Sequence, residues 1–105
     1  MRRHEVARVR EDRQRAKRER EQRAARERYL TDLAKREQQA WQRVDALIDT
    51  KRPRDYDAAM QLLSDLRDMS GRKGRETAFT RRIAVPREAH AKKSTLLTRL
   101  TKAGL

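Results

Sequence analysis

Residues 29–48 read YLTDLAKREQQAWQRVDALI and carry the first apolar pattern of the chain. The apolar side chains recur at intervals of three and four residues: Tyr29, Leu30, Leu33, Ala34, Ala40, Trp41, Val44, Leu47 and Ile48. This spacing predicts an amphipathic α-helix that buries one face. Trp41 lies in register with Val44 and Ile48, so we interpret it as a core side chain and not as a platform for stacking bases. Pro53 predicts the end of the helix, because proline disfavours helical backbone at the residue before it.

Upstream of Tyr29 the composition changes. Residues 1–28 hold twelve Arg or Lys and six Asp or Glu, and their apolar side chains larger than alanine are Met1, Val6 and Val9. Without an apolar face, a helix here must rest on the helix propensity of its residues and on pairing of opposite charges. We therefore predict one long helix from about Glu5 to Ile48. Residues 1–28, which include the first part of this helix, form a solvent-exposed basic arm.

Downstream of Pro53 three further apolar patterns predict shorter helices. Their apolar side chains are, in chain order, Tyr56, Ala59, Met60, Leu62, Leu63, Leu66 and Met69, then Ala78, Phe79, Ile83 and Ala84, then Leu96, Leu97 and Leu100. Pro86 predicts a kink or an end in the second of these helices. Ser94 is the expected N-cap of the last helix, and Gly104 is placed as the residue after its end. The predicted class is all-α: a long N-terminal basic helix leads into a small three- to four-helix bundle over residues 29–105, with helices at about 29–48, 56–70, 75–85 and 94–103.

Composition limits the class of protein. A chain of 105 residues has room for one domain, and 35% apolar residues with 4% aromatic are too few to fill a core along all of it. The net charge of +13 favours acidic partners: nucleic acid, an anionic membrane surface or an acidic protein. No apolar run approaches the roughly 20 residues of a membrane span or the apolar stretch of a signal peptide. Cysteine is absent, which is typical of a reducing compartment. We therefore predict a cytoplasmic protein without membrane insertion.

Two segments resemble the C-terminal region of a family of actinobacterial SWIM zinc-finger proteins. The match lies in RVDALIDTKRPRDYDAAMQLLSDLRDM, residues 43–69, and KSTLLTRLTKAGL, which begins at Lys93 and ends at Leu105. Residues 20–41 fit more loosely, and residues 83–87 depart from the family pattern at Pro86. The resemblance implies a helical accessory segment in a nucleic-acid-related context, but it carries over no binding residue. The SWIM zinc motif needs three cysteines and a histidine, so its metal function is not expected in a chain without cysteine.

The charges of the arm are sorted around the helix. At about 100° per residue, Glu11, Arg15, Glu19, Arg23 and Glu27 form a four-spaced ladder, in which each neighbouring pair contributes roughly 0.2–0.5 kcal/mol. A different sector, about a third of the circumference, holds Arg2, Arg3, Arg10, Arg13, Lys17, Arg20 and Arg28, and only Glu21 borders it. Cations that face one way suit the phosphates of DNA or RNA. We predict that the contacts come from the basic stripe, defined as Arg3, Arg10, Arg13, Lys17, Arg20 and Arg28.

Other functions have less support in the sequence. No nucleophile–base pair, phosphate loop or set of metal ligands is present, so neither catalysis nor a cofactor is predicted. His4 and His90 lack a second ligand at helical spacing, and Asp55, Asp57, Asp65 and Asp68 are expected to face water. The alternative function is a helical interaction or assembly subunit, which would form a homo- or hetero-oligomer through its apolar stripe. Complete burial of Trp41, Leu62, Leu66, Phe79 and Leu97 within one chain would mean that the bundle closes alone.

Overall fold

A computed structural model describes residues 2–105, so Met1, the first residue of the predicted arm, lies outside the described chain. The described chain is 86% helical, and residues 2–105 contain no strand. Five helices follow one another: α1 (Arg3–Lys35), α2 (Glu37–Asp49), α3 (Pro53–Arg72), α4 (Glu76–Ala89) and α5 (Ser94–Lys102). The all-α prediction is confirmed. None of these five helices is both long enough and apolar enough to cross a membrane.

Helix α3 is the centre of the bundle and packs against each of the other four helices. The largest fully buried side chains are Val44 and Ile48 of α2, Leu63 and Leu66 of α3, and Leu96 and Leu100 of α5. The ring of Trp41 lies 5.8 Å from the ring of Phe79 in α4, and both side chains are buried. The interpretation of Trp41 as a core side chain is therefore confirmed. Burial of these apolar faces, and not helix propensity, stabilises the short helices.

The prediction of one continuous helix from Glu5 to Ile48 is wrong at Arg36. The backbone there leaves the helical region, with φ −127° and ψ 36°, and the Arg36 N–H donates to the Leu33 carbonyl three residues back at 3.1 Å. No proline or glycine lies between residues 29 and 48, so the interruption has no local sequence cause. On either side of the break, α1 and α2 both pack against α3.

Of the two alternatives predicted for Pro86, a kink or an end of helix α4, the end is wrong. The helix continues to Ala89, and the His90 N–H donates to the Pro86 carbonyl at 3.0 Å. Proline lacks an N–H, so the carbonyl of Arg82 loses its helical donor, but the next turn keeps its bonds. Pro86 is buried against the bundle. The packing of this ring offsets the loss of one hydrogen bond.

The sequence predicted a residue at each end of helix α5, and one of the two predictions is confirmed. Gly104 has φ 73°, and the Leu105 N–H bonds the Leu100 carbonyl at 2.8 Å while the Gly104 N–H bonds the Thr101 carbonyl at 3.1 Å. This pair of bonds is the Schellman motif, so the placement of Gly104 after the helix end is confirmed. The predicted cap at Ser94 is wrong. Lys93 precedes the first turn of α5, and no side chain caps it.

Candidate nucleic-acid interface

The basic stripe lies on one uninterrupted helix. All six of its residues belong to α1 and are exposed to solvent. From Arg3 to Arg28 the helix rises roughly 38 Å at about 1.5 Å per residue. The whole of α1 projects along the long axis of a molecule that measures 65 × 27 × 20 Å. The structure therefore brings the predicted contact residues together on a single helix.

The stripe faces away from the bundle. Leu30 and Leu33, which are each 2% exposed, and Arg26, which reaches α3, mark the side of α1 that meets the other helices. Counted at about 100° per residue, these three side chains project to the side of α1 opposite the stripe. The bundle thus holds α1 by one side and leaves the cationic side to solvent.

Most of the stripe is not neutralised by neighbouring acids. Lys17 lies 3.9 Å from Glu21, and both side chains are more than 60% exposed. Within residues 2–105, no carboxylate comes within 4.0 Å of the other five cations of the stripe. The exposed pair of Lys17 and Glu21 contributes little to stability. Lys17 therefore stays available to an anion that approaches the stripe.

The four-spaced ladder on the other side of α1 is not formed, so that prediction is wrong. Arg15 pairs with Asp12 at 3.8 Å, and Glu27 pairs with Arg72 of α3. In the part of the chain that the structure describes, no ladder neighbours lie within 4.0 Å of each other. Each ladder contact contributes too little to fix long exposed side chains, and Glu27 has a partner in the bundle.

A buried acid anchors α1 to the bundle. Asp65 of α3 is 5% exposed, and its carboxylate accepts hydrogen bonds from the Tyr29 hydroxyl at 2.8 Å and from the Gln61 amide at 3.2 Å. The Arg26 guanidinium lies 2.8 Å from Asp65 and donates to Asp68 at 2.8 Å. These contacts fix the base of the exposed helix relative to α3. Hydrogen bonds between ionised groups, such as those from Arg26 to Asp65 and Asp68, are stronger than hydrogen bonds between neutral groups.

The expectation that Asp65 faces water is therefore wrong, whereas Asp68 is exposed as predicted. The sequence holds a signal for the difference. Asp65 lies three residues after Leu62 and four before Met69, so it continues the apolar face of α3 at its edge. A carboxylate at the edge of a buried face needs a partner that donates hydrogen bonds to it. Arg26, on the bundle side of α1, is that partner.

The pKa of the Tyr29 hydroxyl is raised above its ordinary value near 10, first by burial and then by its hydrogen bond to Asp65. The folded state thus binds this proton more tightly than the unfolded state. The resulting stability is complete below about pH 10 and is lost as the pH rises through the folded pKa.

Tyr29→Phe tests this contact. We expect it to lower the free energy of unfolding by about 1 kcal/mol at about pH 7, because one hydrogen bond to Asp65 is lost. At a pH above the raised pKa of Tyr29 the native protein loses the contribution as well, so the difference between the two proteins should shrink. Urea unfolding of both proteins at the two pH values measures it. A difference that does not change with pH would contradict the role assigned to Tyr29.

Two further ion pairs join helices of the bundle. Asp57 pairs with Arg99 of α5, and Asp45 of α2 lies 3.7 Å from Arg82 of α4. Throughout the described range 2–105, no three His, Asp or Glu side chains lie close enough together to hold a metal ion.

Comparison of the chain with protein-family models, curated proteins and solved structures finds no match. The resemblance to the tails of SWIM proteins stays a prediction, and the candidate site rests on its own geometry.

Proposed function

We propose that this chain is a non-enzymatic module that binds the backbone of nucleic acid with little sequence preference. The observation that carries the proposal is the position of the basic stripe. Its six exposed cations lie on one side of α1, and that side is turned away from the bundle. In this proposal the bundle is the body that orients α1, and the stripe supplies the contacts to phosphate.

The side chains of the stripe suit phosphate more than base edges. Arginine and lysine bind phosphate oxygens through charge, and release of counterions drives the association. Reading of bases uses arginine together with short amides and hydroxyls that fit the groove. The chain contains no asparagine, and the stripe contains only Arg and Lys. Such a surface holds DNA or RNA in place without distinguishing one base sequence from another.

The second function in view is a helical interaction or assembly subunit. Such a subunit would leave apolar side chains exposed for its partner. In this chain Trp41, Leu66 and Phe79 are buried, and Leu62 and Leu97 are partly buried against the core. The burial leaves little of the predicted apolar stripe for a second chain. It therefore favours the nucleic-acid hypothesis over the assembly hypothesis.

The proposal is tested with the intact, nuclease-treated protein and a fluorescently labelled duplex at about 50 mM salt, where counterion release is most favourable. We expect binding, measured by anisotropy, that weakens steeply as salt is added and changes little when the base sequence is changed. Absence of binding at this salt concentration would reject the proposal. A molar mass above that of the monomer in the same nuclease-treated preparation would then favour the assembly subunit.

A further inference from the structure

A groove lies at the break between α1 and α2, near the C-terminal end of α1. Its volume is about 360 Å³, and it is lined by Tyr29, Leu33, Arg36, Gln39, Ala40, Arg43 and Leu62. Leu33 and Ala40 are buried in the core, and Leu62 is packed against it. Arg36, Gln39 and Arg43 are exposed. The groove thus combines an apolar floor with a polar and cationic rim.

The two rim arginines are available to a ligand. Over residues 2–105 no carboxylate lies within 4.0 Å of the guanidinium of Arg36 or Arg43. Their charges are therefore open to an anion, as are most of those in the stripe. Counted at about 100° per residue, Tyr29 projects about 100° and Leu33 about 140° around α1 from Arg28, the last member of the stripe, so the groove lies on a different side of α1. A flexible single strand that lies along the stripe would turn around α1 at Arg28 to reach the groove.

Contacts within the protein hold the walls of the groove in place without a ligand. The Tyr29 hydroxyl donates to the buried Asp65 at 2.8 Å, and the Arg26 guanidinium lies over the Tyr29 ring at 5.5 Å from its centre. These two contacts fix the aromatic wall. Arg36 lies at the fixed break of the helix, where its N–H bonds the Leu33 carbonyl. A site that needs no rearrangement loses less free energy on binding.

We propose that this groove accepts an unpaired base, and that single-stranded nucleic acid is therefore the preferred ligand of the module. The base would pack against the half-buried Tyr29 and Leu62 above the buried floor, and Arg36 and Arg43 would hold the phosphates on either side of it. The Gln39 amide carries both donor and acceptor groups, so it suits the edges of different bases. In a duplex the base faces are already stacked, so a duplex gains nothing from the apolar floor. This inference rests on the proposed function, because the stripe is what brings the strand to the groove.

The test uses full-length protein and labelled probes with equal numbers of phosphates: an oligothymidylate of about twelve nucleotides, within the usual range of site sizes, and an abasic deoxyribose-phosphate chain of the same length. The wild type is expected to bind the oligothymidylate about tenfold more tightly than the abasic chain, since stacking of one base on an aromatic side chain such as Tyr29 has an effect of this size. The variant Arg36→Gln with Arg43→Gln should bind both probes equally, because a base enters the groove only while these two arginines hold the phosphates on either side of it. Arg75→Gln with Arg81→Gln is the matched control, because it removes two exposed arginines of α4 and its preceding turn. The control should keep the tenfold ratio.

The outcomes separate the groove from the stripe. Equal binding of both probes by the wild type, or an unchanged ratio in the groove variant, would overturn the inference while salt-dependent binding still supported the proposed function. Failure of every probe to bind at about 50 mM salt would reject the proposed function and the groove with it. Helical circular dichroism that matches the wild type shows that a variant is folded. A groove variant that has lost this signal is replaced in the test by Gln39→Ala, for which a reduced ratio is expected and an unchanged ratio would overturn the inference.

Discussion

Replacement of Asp65 by asparagine is expected to lower the free energy of unfolding by about 2–3 kcal/mol. The carboxylate of Asp65 is buried and accepts from Arg26, Tyr29 and Gln61. Asparagine keeps the shape but replaces one accepting oxygen with an NH₂ donor, so at least one of the three partners loses its acceptor. Thermal unfolding measures the effect, since each kcal/mol shifts the melting temperature of a domain of this size by roughly 4–8 °C.

Asp68→Asn is the matched control for this substitution. Asp68 lies on the same helix and binds the same Arg26, but its side chain is 48% exposed. An exposed ion pair contributes about 1 kcal/mol or less, so the control should lose much less stability. Equal losses of stability from the two substitutions would mean that the burial of Asp65 does not strengthen its contacts with α1.

Simultaneous replacement of Arg10, Arg13, Lys17 and Arg20 by glutamine is expected to weaken binding to nucleic acid roughly a hundredfold at low salt. These four residues are the central part of the basic stripe, and each is exposed on the side of α1 away from the bundle. Glutamine has nearly the same helix propensity as arginine and lysine, so α1 should keep its structure. Fluorescence anisotropy with a labelled duplex measures the loss, and circular dichroism checks the helix.

The control for the stripe variant removes the same charge from other sides of the same helix. Arg8, Arg15, Arg18 and Arg23 are also exposed, and they project outside the sector of the stripe. Their replacement by glutamine lowers the net charge by the same four units. We expect only a few-fold loss of affinity from this control, since the charges are farther from the bound phosphates. Position on the helix, and not total charge, should decide the affinity.

Much of the fold could be predicted from the spacing of apolar residues. The buried positions of α2, from Ala40 to Ile48, and those of α5 follow the three- and four-residue pattern. The break at Arg36 could not be predicted, because the apolar pattern keeps its phase across it and no proline or glycine marks it. It arises where α1 and α2 both pack against α3, which is a tertiary effect. Pro86 shows the reverse case, because packing overrides a residue that usually ends a helix.

The candidate site also has features that could be predicted from the sequence and features that could not. The sector that holds the stripe depends only on helical geometry, so its placement on one exposed side could be predicted from residue numbers. The ladder failed because each of its pairs contributes too little free energy to fix an exposed side chain. The link between Arg26 and Asp65 joins residues far apart in the sequence, and no local pattern pairs them. The groove around Arg36 depends on the unpredicted break and was missed for that reason.

The salt dependence of binding tests the phosphate contacts of the basic stripe most directly. Each phosphate contact on a B-DNA duplex contributes about −0.9 to the slope of log affinity against log salt, so four contacts contribute about −3.6. The variant that lacks Arg10, Arg13, Lys17 and Arg20 should therefore show a slope shallower than that of the wild type by about 3.6 units, and the off-stripe control should keep the wild-type slope. Equal changes of slope in the two variants would contradict a phosphate-binding stripe, because the cations of α1 would then act only through their total charge.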